Sequence, residues 1–107
     1  MKRNGIYWVR LDPAEGSEIG KTRPCVVVSL DALNVRLNTV VICPITSRLH
    51  PGWRTRLPVV CAGKKGEICV DQIRTVSVSR LGAKVDQLDS AAAQTLRLLI
   101  NDMYGQP

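Results

Sequence analysis

Thr39-Val40-Val41-Ile42-Cys43-Pro44-Ile45 is the run on which the fold class turns. It is apolar and β-branched, which reads as a strand, and Pro44 marks an edge or a bulge near its end. Upstream, Cys25 to Leu30 (CVVVSL) reads as another strand, buried on both faces or nearly so, and Ile6 to Leu11 (IYWVRL) as a first strand. Asp31 to Asn38 turns between them and Thr39, with room for one helical turn. Downstream, strands are expected over Thr55 to Val60, from Glu67 through Val70 and over Lys84 to Leu88. Asp71 to Val78 either continues the Glu67 strand or forms a further short one after a bend. Gly63-Lys64-Lys65-Gly66 is the expected turn before Glu67. Asp89 or Ser90 is then a helix N-cap, and Leu96, Leu99, Ile100 and Met103 recur at helical spacing up to Tyr104-Gly105. Six or seven short strands followed by one late helix predict a mainly β fold, a small, strongly curved sheet or barrel with a helix packed on it.

The 107 residues are enough for one compact domain, expected over 1–107, and 45% hydrophobic against 22% charged residues is globular composition. No apolar run approaches the ~18 residues of a membrane span. The basic start Met1-Lys2-Arg3-Asn4-Gly5 is followed by an apolar stretch that Arg10 and Asp12 cut short, so a signal peptide is not expected. The four cysteines form no C-x-x-C pair and there is one histidine, which argues against a structural zinc site. Cys25, Cys43 and Cys69 lie inside apolar runs and are expected to be buried, reduced thiols of a cytoplasmic protein. Neither a P-loop nor a G-x-G-x-x-G fingerprint is present, and a single histidine makes a Ser-His-Asp hydrolase improbable. No cofactor and no metal are expected.

Charge is unevenly spread. From Ala32 to Gly66 there is no Asp or Glu, but six cations, Arg36, Arg48, Arg54, Arg56, Lys64 and Lys65. Nine cations and nine anions make up the rest, so the whole net charge of +6 lies in the middle third. Such clustering favours a face that binds a polyanion.

Two long loops carry the candidate chemistry. In the first, Asp12 to Pro24 (DPAEGSEIGKTRP), Pro24 biases Arg23 towards extended geometry, and Glu18 is placed to pair with Arg23 and orient it. The second, Thr46 to Arg54 (TSRLHPGWR), opens on two hydroxyls, Thr46 and Ser47. It then interleaves Arg48, His50, Trp53, Arg54 and the following Arg56, the mix of cations and an aromatic ring that grips single-stranded nucleic acid.

Gly5-Ile6-Tyr7-Trp8-Val9, Leu11-Asp12-Pro13, Gly16-Ser17-Glu18-Ile19-Gly20, Arg23-Pro24, Pro44-Ile45-Thr46-Ser47 and Asp71-Gln72-Ile73-Arg74-Thr75 follow one another in that order. Together they resemble the MazF/PemK (Kid) family of bacterial toxin–antitoxin endoribonucleases, from Gly5 to the C-terminal helix. The resemblance implies an SH3-like barrel of the CcdB/PemK type with a C-terminal helix, usually as a homodimer. It implies the toxin of a type II system that cleaves single-stranded RNA, commonly mRNA, at short motifs without a metal, and so inhibits translation and growth. The expected products carry 2′,3′-cyclic phosphate and 5′-hydroxyl ends. The implied partner is a cognate antitoxin, an acidic and partly disordered chain that covers the basic face.

By the same resemblance Arg23 matches the family's catalytic arginine and Thr46 its catalytic threonine. Glu18 matches an acidic residue of the same loop, with a role in orienting Arg23 or accepting the 2′-hydroxyl proton. Asp71 matches a carboxylate of the Kid branch's acid/base set, and Asp71 and Gln72 are candidates for acid/base work or base reading. Lys21, Ser47, Arg48, His50, Trp53, Arg54, Arg56 and Arg74 are the expected RNA-binding residues. Where the Kid branch has a histidine and an arginine this chain has Ser17 and Cys69, so it resembles the MazF branch more. Two alternatives share the barrel: a CcdB-like toxin that binds DNA gyrase and cleaves nothing, and an inactive RNA-binding relative.

Overall fold

The computed structural model describes residues 1–105. Seven strands, β1 (Gly5–Arg10), β2 (Thr22–Val27), β3 (Thr39–Thr46), β4 (Arg56–Cys61), β5 (Lys64–Cys69), β6 (Arg74–Ser77) and β7 (Leu81–Gln87), precede a C-terminal helix, α2 (Ser90–Tyr104). The short helix α1 spans Asp31–Asn34, and a 3₁₀ turn over Val70–Gln72 separates β5 from β6. All pairings are antiparallel, in the order β4-β5-β3-β2-β1-β7, with β6 on β3. The result is the curled, mainly β half-barrel with a late helix that the strand pattern predicts.

β3 is the spine. It pairs with β2 from Ile42 to Pro44 along one edge. On the other it pairs with β6 over Thr39–Ile42 and with β5 over Ile45–Thr46. Cys43 and Pro44 fall between those two partners, so the missing N–H of Pro44 costs no ladder bond on that edge. Alternation along β1, β2 and β3 sends successive side chains to opposite faces. Ile6, Val26, Cys43 and Ile45 join Leu96 of α2 in one buried cluster, while Tyr7, Cys25, Val27 and Ile42 join Val9 and Leu11 in another. Burial on both faces explains the continuous apolar runs.

Several boundaries differ from the sequence expectation. β2 begins at Thr22 rather than Cys25 and ends at Val27, because Thr22, Arg23 and Pro24 pair with Arg10, Val9 and Trp8 of β1. Pairing of β2 with β3 starts only at Cys25, so Pro24 has an open edge there. The hairpin turn is Ala62-Gly63, not Gly63 to Gly66; both residues have positive φ (49° and 79°), and Lys64 and Lys65 lie in β5. Positive φ at both central residues is the two-residue geometry that suits the strand twist. β7 starts at Leu81, three residues before Lys84. The helix follows expectation, with Asp89 as N-cap accepting the Ala92 N–H at 2.8 Å.

Candidate active site

The first loop, between β1 and β2, is tied down at many points. The Leu11 N–H donates to the Lys21 carbonyl (2.7 Å) and the Lys21 N–H to Asp12 Oδ1 (2.8 Å), closing its base. Lys21 is held there at φ 63° and exposed. Gly20 packs so closely that a Cβ would lie 2.5 Å from Asp12 Oδ1. Arg80 Nη1 donates to the carbonyls of Arg10 (2.9 Å) and Asp12 (2.6 Å), and Arg74 Nη1 to that of Leu11 (3.2 Å). Gln72 bridges to the loop's far side: its Oε1 accepts the Ile19 N–H (2.7 Å) and its Nε2 donates to the Ser17 carbonyl (3.1 Å). The expected Glu18–Arg23 ion pair does not form. Glu18 Oε1 instead accepts the Glu15 N–H at 2.6 Å, and Arg23 Nε donates to the Gly20 carbonyl at 3.4 Å. The short turn at Glu15–Glu18 offers the carboxylate a local N–H before it can reach the next strand.

The second loop, between β3 and β4, is organised by Arg56 and Glu67. Their side chains are only 9% and 5% exposed, and Arg56 Nη1 lies 3.2 Å from Glu67 Oε1. The same oxygen accepts the His50 N–H at 2.9 Å, and Arg56 Nη1 also reaches the Arg48 carbonyl at 3.4 Å. Arg56 Nε has no hydrogen-bond partner among the described residues, and Asp71 Oδ1 lies 3.9 Å from it. The guanidinium carbon sits 5.0 Å from the centre of the Trp53 ring, and Trp53 stacks on His50 with ring centres 3.9 Å apart and planes 9° from parallel. Trp53 remains half exposed.

Between the loops lies a cavity of about 690 Å³, lined by Gly16 to Gly20, Arg23, Thr46 to Arg48, His50, Trp53, Arg56, Asp71 and Gln72. Ten of the thirteen residues singled out in the sequence thus converge on one space. Lys21 and Arg54 are exposed outside it, and Arg74 lines a neighbouring cavity with Asp71 and Gln72. Arg74 Nη1 is committed to the Leu11 carbonyl. Arg23, Thr46 and Ser47 also wall a second cavity of about 400 Å³, shared with Trp8, Lys64 and Lys65, so that a guanidinium and a hydroxyl stand between two hollows. Thr46 Oγ1 accepts the Arg48 N–H at 3.1 Å, which leaves its own proton free to donate. The nearby thiols are inert, for burial pushes Cys69 up to about 11 and Cys25 and Cys43 up to about 12.

A sequence model of the PemK-like, MazF-like toxins of type II toxin–antitoxin systems matches residues 2–104. The chain belongs to this family. The endoribonuclease MazF of Staphylococcus saprophyticus is 31% identical over 113 aligned positions, which cover 98% of this toxin and 92% of that protein. Among solved structures, MazF from Deinococcus radiodurans superposes with a TM-score of 0.86 at 23% identity, covering 99% of this chain and 97% of that one. A mycobacterial endoribonuclease in complex with its cognate antitoxin gives 0.82 at 19% identity, covering 100% and 97%.

Two residues beside the candidate site escape a reading of the sequence: Trp8 walls the smaller cavity and Glu67 holds the second loop from below. Trp8 lies between buried Tyr7 and Val9 and is 44% exposed, its outward parity signalled only by Arg10 two residues on. Glu67, 4% exposed, is the first carboxylate after the acid-free stretch and opens an apolar strand segment, a position where a lone acid needs a buried partner.

Proposed function

We propose that the toxin is an endoribonuclease that cuts single-stranded RNA, with mRNA as its target, at short sequence motifs and without a metal. The ribose 2′-hydroxyl attacks the adjacent phosphorus, the bond to the 5′-oxygen breaks, and a 2′,3′-cyclic phosphate and a 5′-hydroxyl result. The observation that carries this reading is the pairing of Arg23 with Thr46 in the wall shared by the two cavities. The forked donors of Arg23 suit two oxygens of a phosphorane, and its fixed charge stabilises the transition state. A guanidinium cation carries donors and no acceptor, so it cannot take the proton, and its second role is proton delivery to the leaving oxygen. The free proton of Thr46 donates to the same phosphate. Glu18 and Asp71 both line the cavity, and one of them takes the 2′-hydroxyl proton; comparing Glu18→Gln with Asp71→Asn identifies which.

The exposed cations Arg48, Arg54, Lys64 and Lys65 supply the counter-charge to the RNA backbone. The same basic surface suits an acidic cognate antitoxin that competes with RNA, in keeping with the complex solved for the mycobacterial relative. The toxin acts in the cytoplasm as a homodimer. Cleavage is favoured over gyrase binding, because a gyrase-binding surface has no use for a guanidinium and a hydroxyl between two hollows.

The test is incubation of the purified toxin with mixed-sequence RNA in excess EDTA, with product ends identified by mass spectrometry. Cyclic-phosphate and 5′-hydroxyl ends, located at a recurring motif, are expected. Arg23→Ala and Thr46→Ala should fold normally and lose roughly 100- to 1,000-fold in kcat, the scale seen when a transition-state donor is removed. Full cleavage by both folded variants would overturn the assignment.

A further inference from the structure

We propose that Glu67 is a positioning residue that presents the His50–Trp53 stack as a preformed platform for a nucleobase. The inference rests on the nuclease reading above. In register, Glu67 stands opposite Pro58 of β4 on one side and Thr46 of β3 on the other. It is thus the strand neighbour of the hydroxyl that faces the phosphate. Its Oε1 accepts both from the middle of the second loop, the His50 N–H at 2.9 Å, and from the strand that follows it, Arg56 Nη1 at 3.2 Å. Arg56 stands opposite Cys69, two residues from Glu67, so the two side chains meet diagonally on one face of the sheet. From there the guanidinium supports the Trp53 ring from 5.0 Å, and His50 stacks on Trp53 at 3.9 Å.

One buried carboxylate therefore sets the height of the aromatic pair relative to Thr46. Stacking on an aromatic face tolerates any base, so the platform contributes binding rather than sequence choice. Arg56, neutralised by Glu67 and buried, serves as the underside of this platform and not as a phosphate contact. A device that holds ground state and transition state alike changes KM and leaves kcat alone.

The experiment compares the natural chain with Glu67→Gln and with the double variant Glu67→Met/Arg56→Met. The double variant removes both charges together, so no buried ion is orphaned if Glu67→Gln fails to fold. Two quantities are read: steady-state cleavage of a single-stranded RNA, and acrylamide quenching of Trp53 fluorescence in a Trp8→Phe background. The proposal expects folded variants in which KM rises about tenfold or more with kcat within about twofold, and in which Trp53 is more readily quenched. Unchanged quenching of Trp53 in a folded variant overturns it whatever the kinetics show. So does altered quenching with an unchanged KM, or a loss confined to kcat. Failure of the natural chain to cleave RNA at all is a separate result, which removes the nuclease reading and the platform's role with it.

Discussion

The first long loop is held by many small anchors around its rim, whereas the second hangs from one buried ion pair beneath it. In the first, Gln72, Arg74, Arg80, Asp12 and the Leu11–Lys21 backbone bond each contribute one or two hydrogen bonds, most of them part-exposed. In the second, Glu67 and Arg56 together meet His50, Arg48 and Trp53. Distributed anchors fail one at a time and locally. A buried hub fails as a whole, because removing either partner leaves a charge in a poorly solvated site.

The largest effect should come from breaking the hub. Glu67→Ala strands the Arg56 guanidinium and should cost about 3–5 kcal/mol of unfolding free energy, measured by urea titration. Gln72→Ala removes one anchor of the first loop and should cost about 1–2 kcal/mol, with faster hydrogen exchange confined to the Ile19 amide and its neighbours. Equal losses from the two variants would erase the contrast between the loops.

The smallest effect is expected at Asp86, a half-buried surface carboxylate. Its carboxylate accepts the N–H groups of Ala62 and Gln87 at 2.8 Å each, fastening the β4–β5 turn to β7. Those two bonds hold its carboxyl below the usual aspartate range. A depressed folded pKa stabilises above the unfolded value of ~3.9 and loses that contribution as pH falls through the lower folded value. Asp86→Asn should therefore lower Tm slightly at pH 7, and the difference should vanish in acid.

Much of the fold is legible in the sequence because alternation and capping are local. Ile6 to Val9, the Cys25 and Thr39 runs and the Asp89 cap need only neighbouring residues to be recognised. The hairpin turn was displaced because Gly63 to Gly66 looks more turn-like than Ala62, whose φ of 49° is imposed by the pairing of Cys61 with Lys64. Arg23 and Thr46 stand out in the sequence as candidates through their place near strand ends, next to Pro24 and after Ile45. The Glu67–Arg56 hub is not: the pair is eleven residues apart, and only the β4–β5 register brings its members together. Glu18 misleads for the opposite reason, since its partner, the Glu15 N–H, is closer in sequence than any arginine.

The Gln72 clamp on Ile19 and Ser17 joins residues 53 and 55 positions apart, and the Arg80 bonds to Arg10 and Asp12 span 70 and 68. Translation delivers Arg23 and Thr46 long before either clamp exists. On a ribosome, the loop between β1 and β2 is synthesised well before Gln72 and Arg80, the residues that fasten it. The shape of that loop is thus settled only after the strands that carry Arg23 and Thr46 have been made.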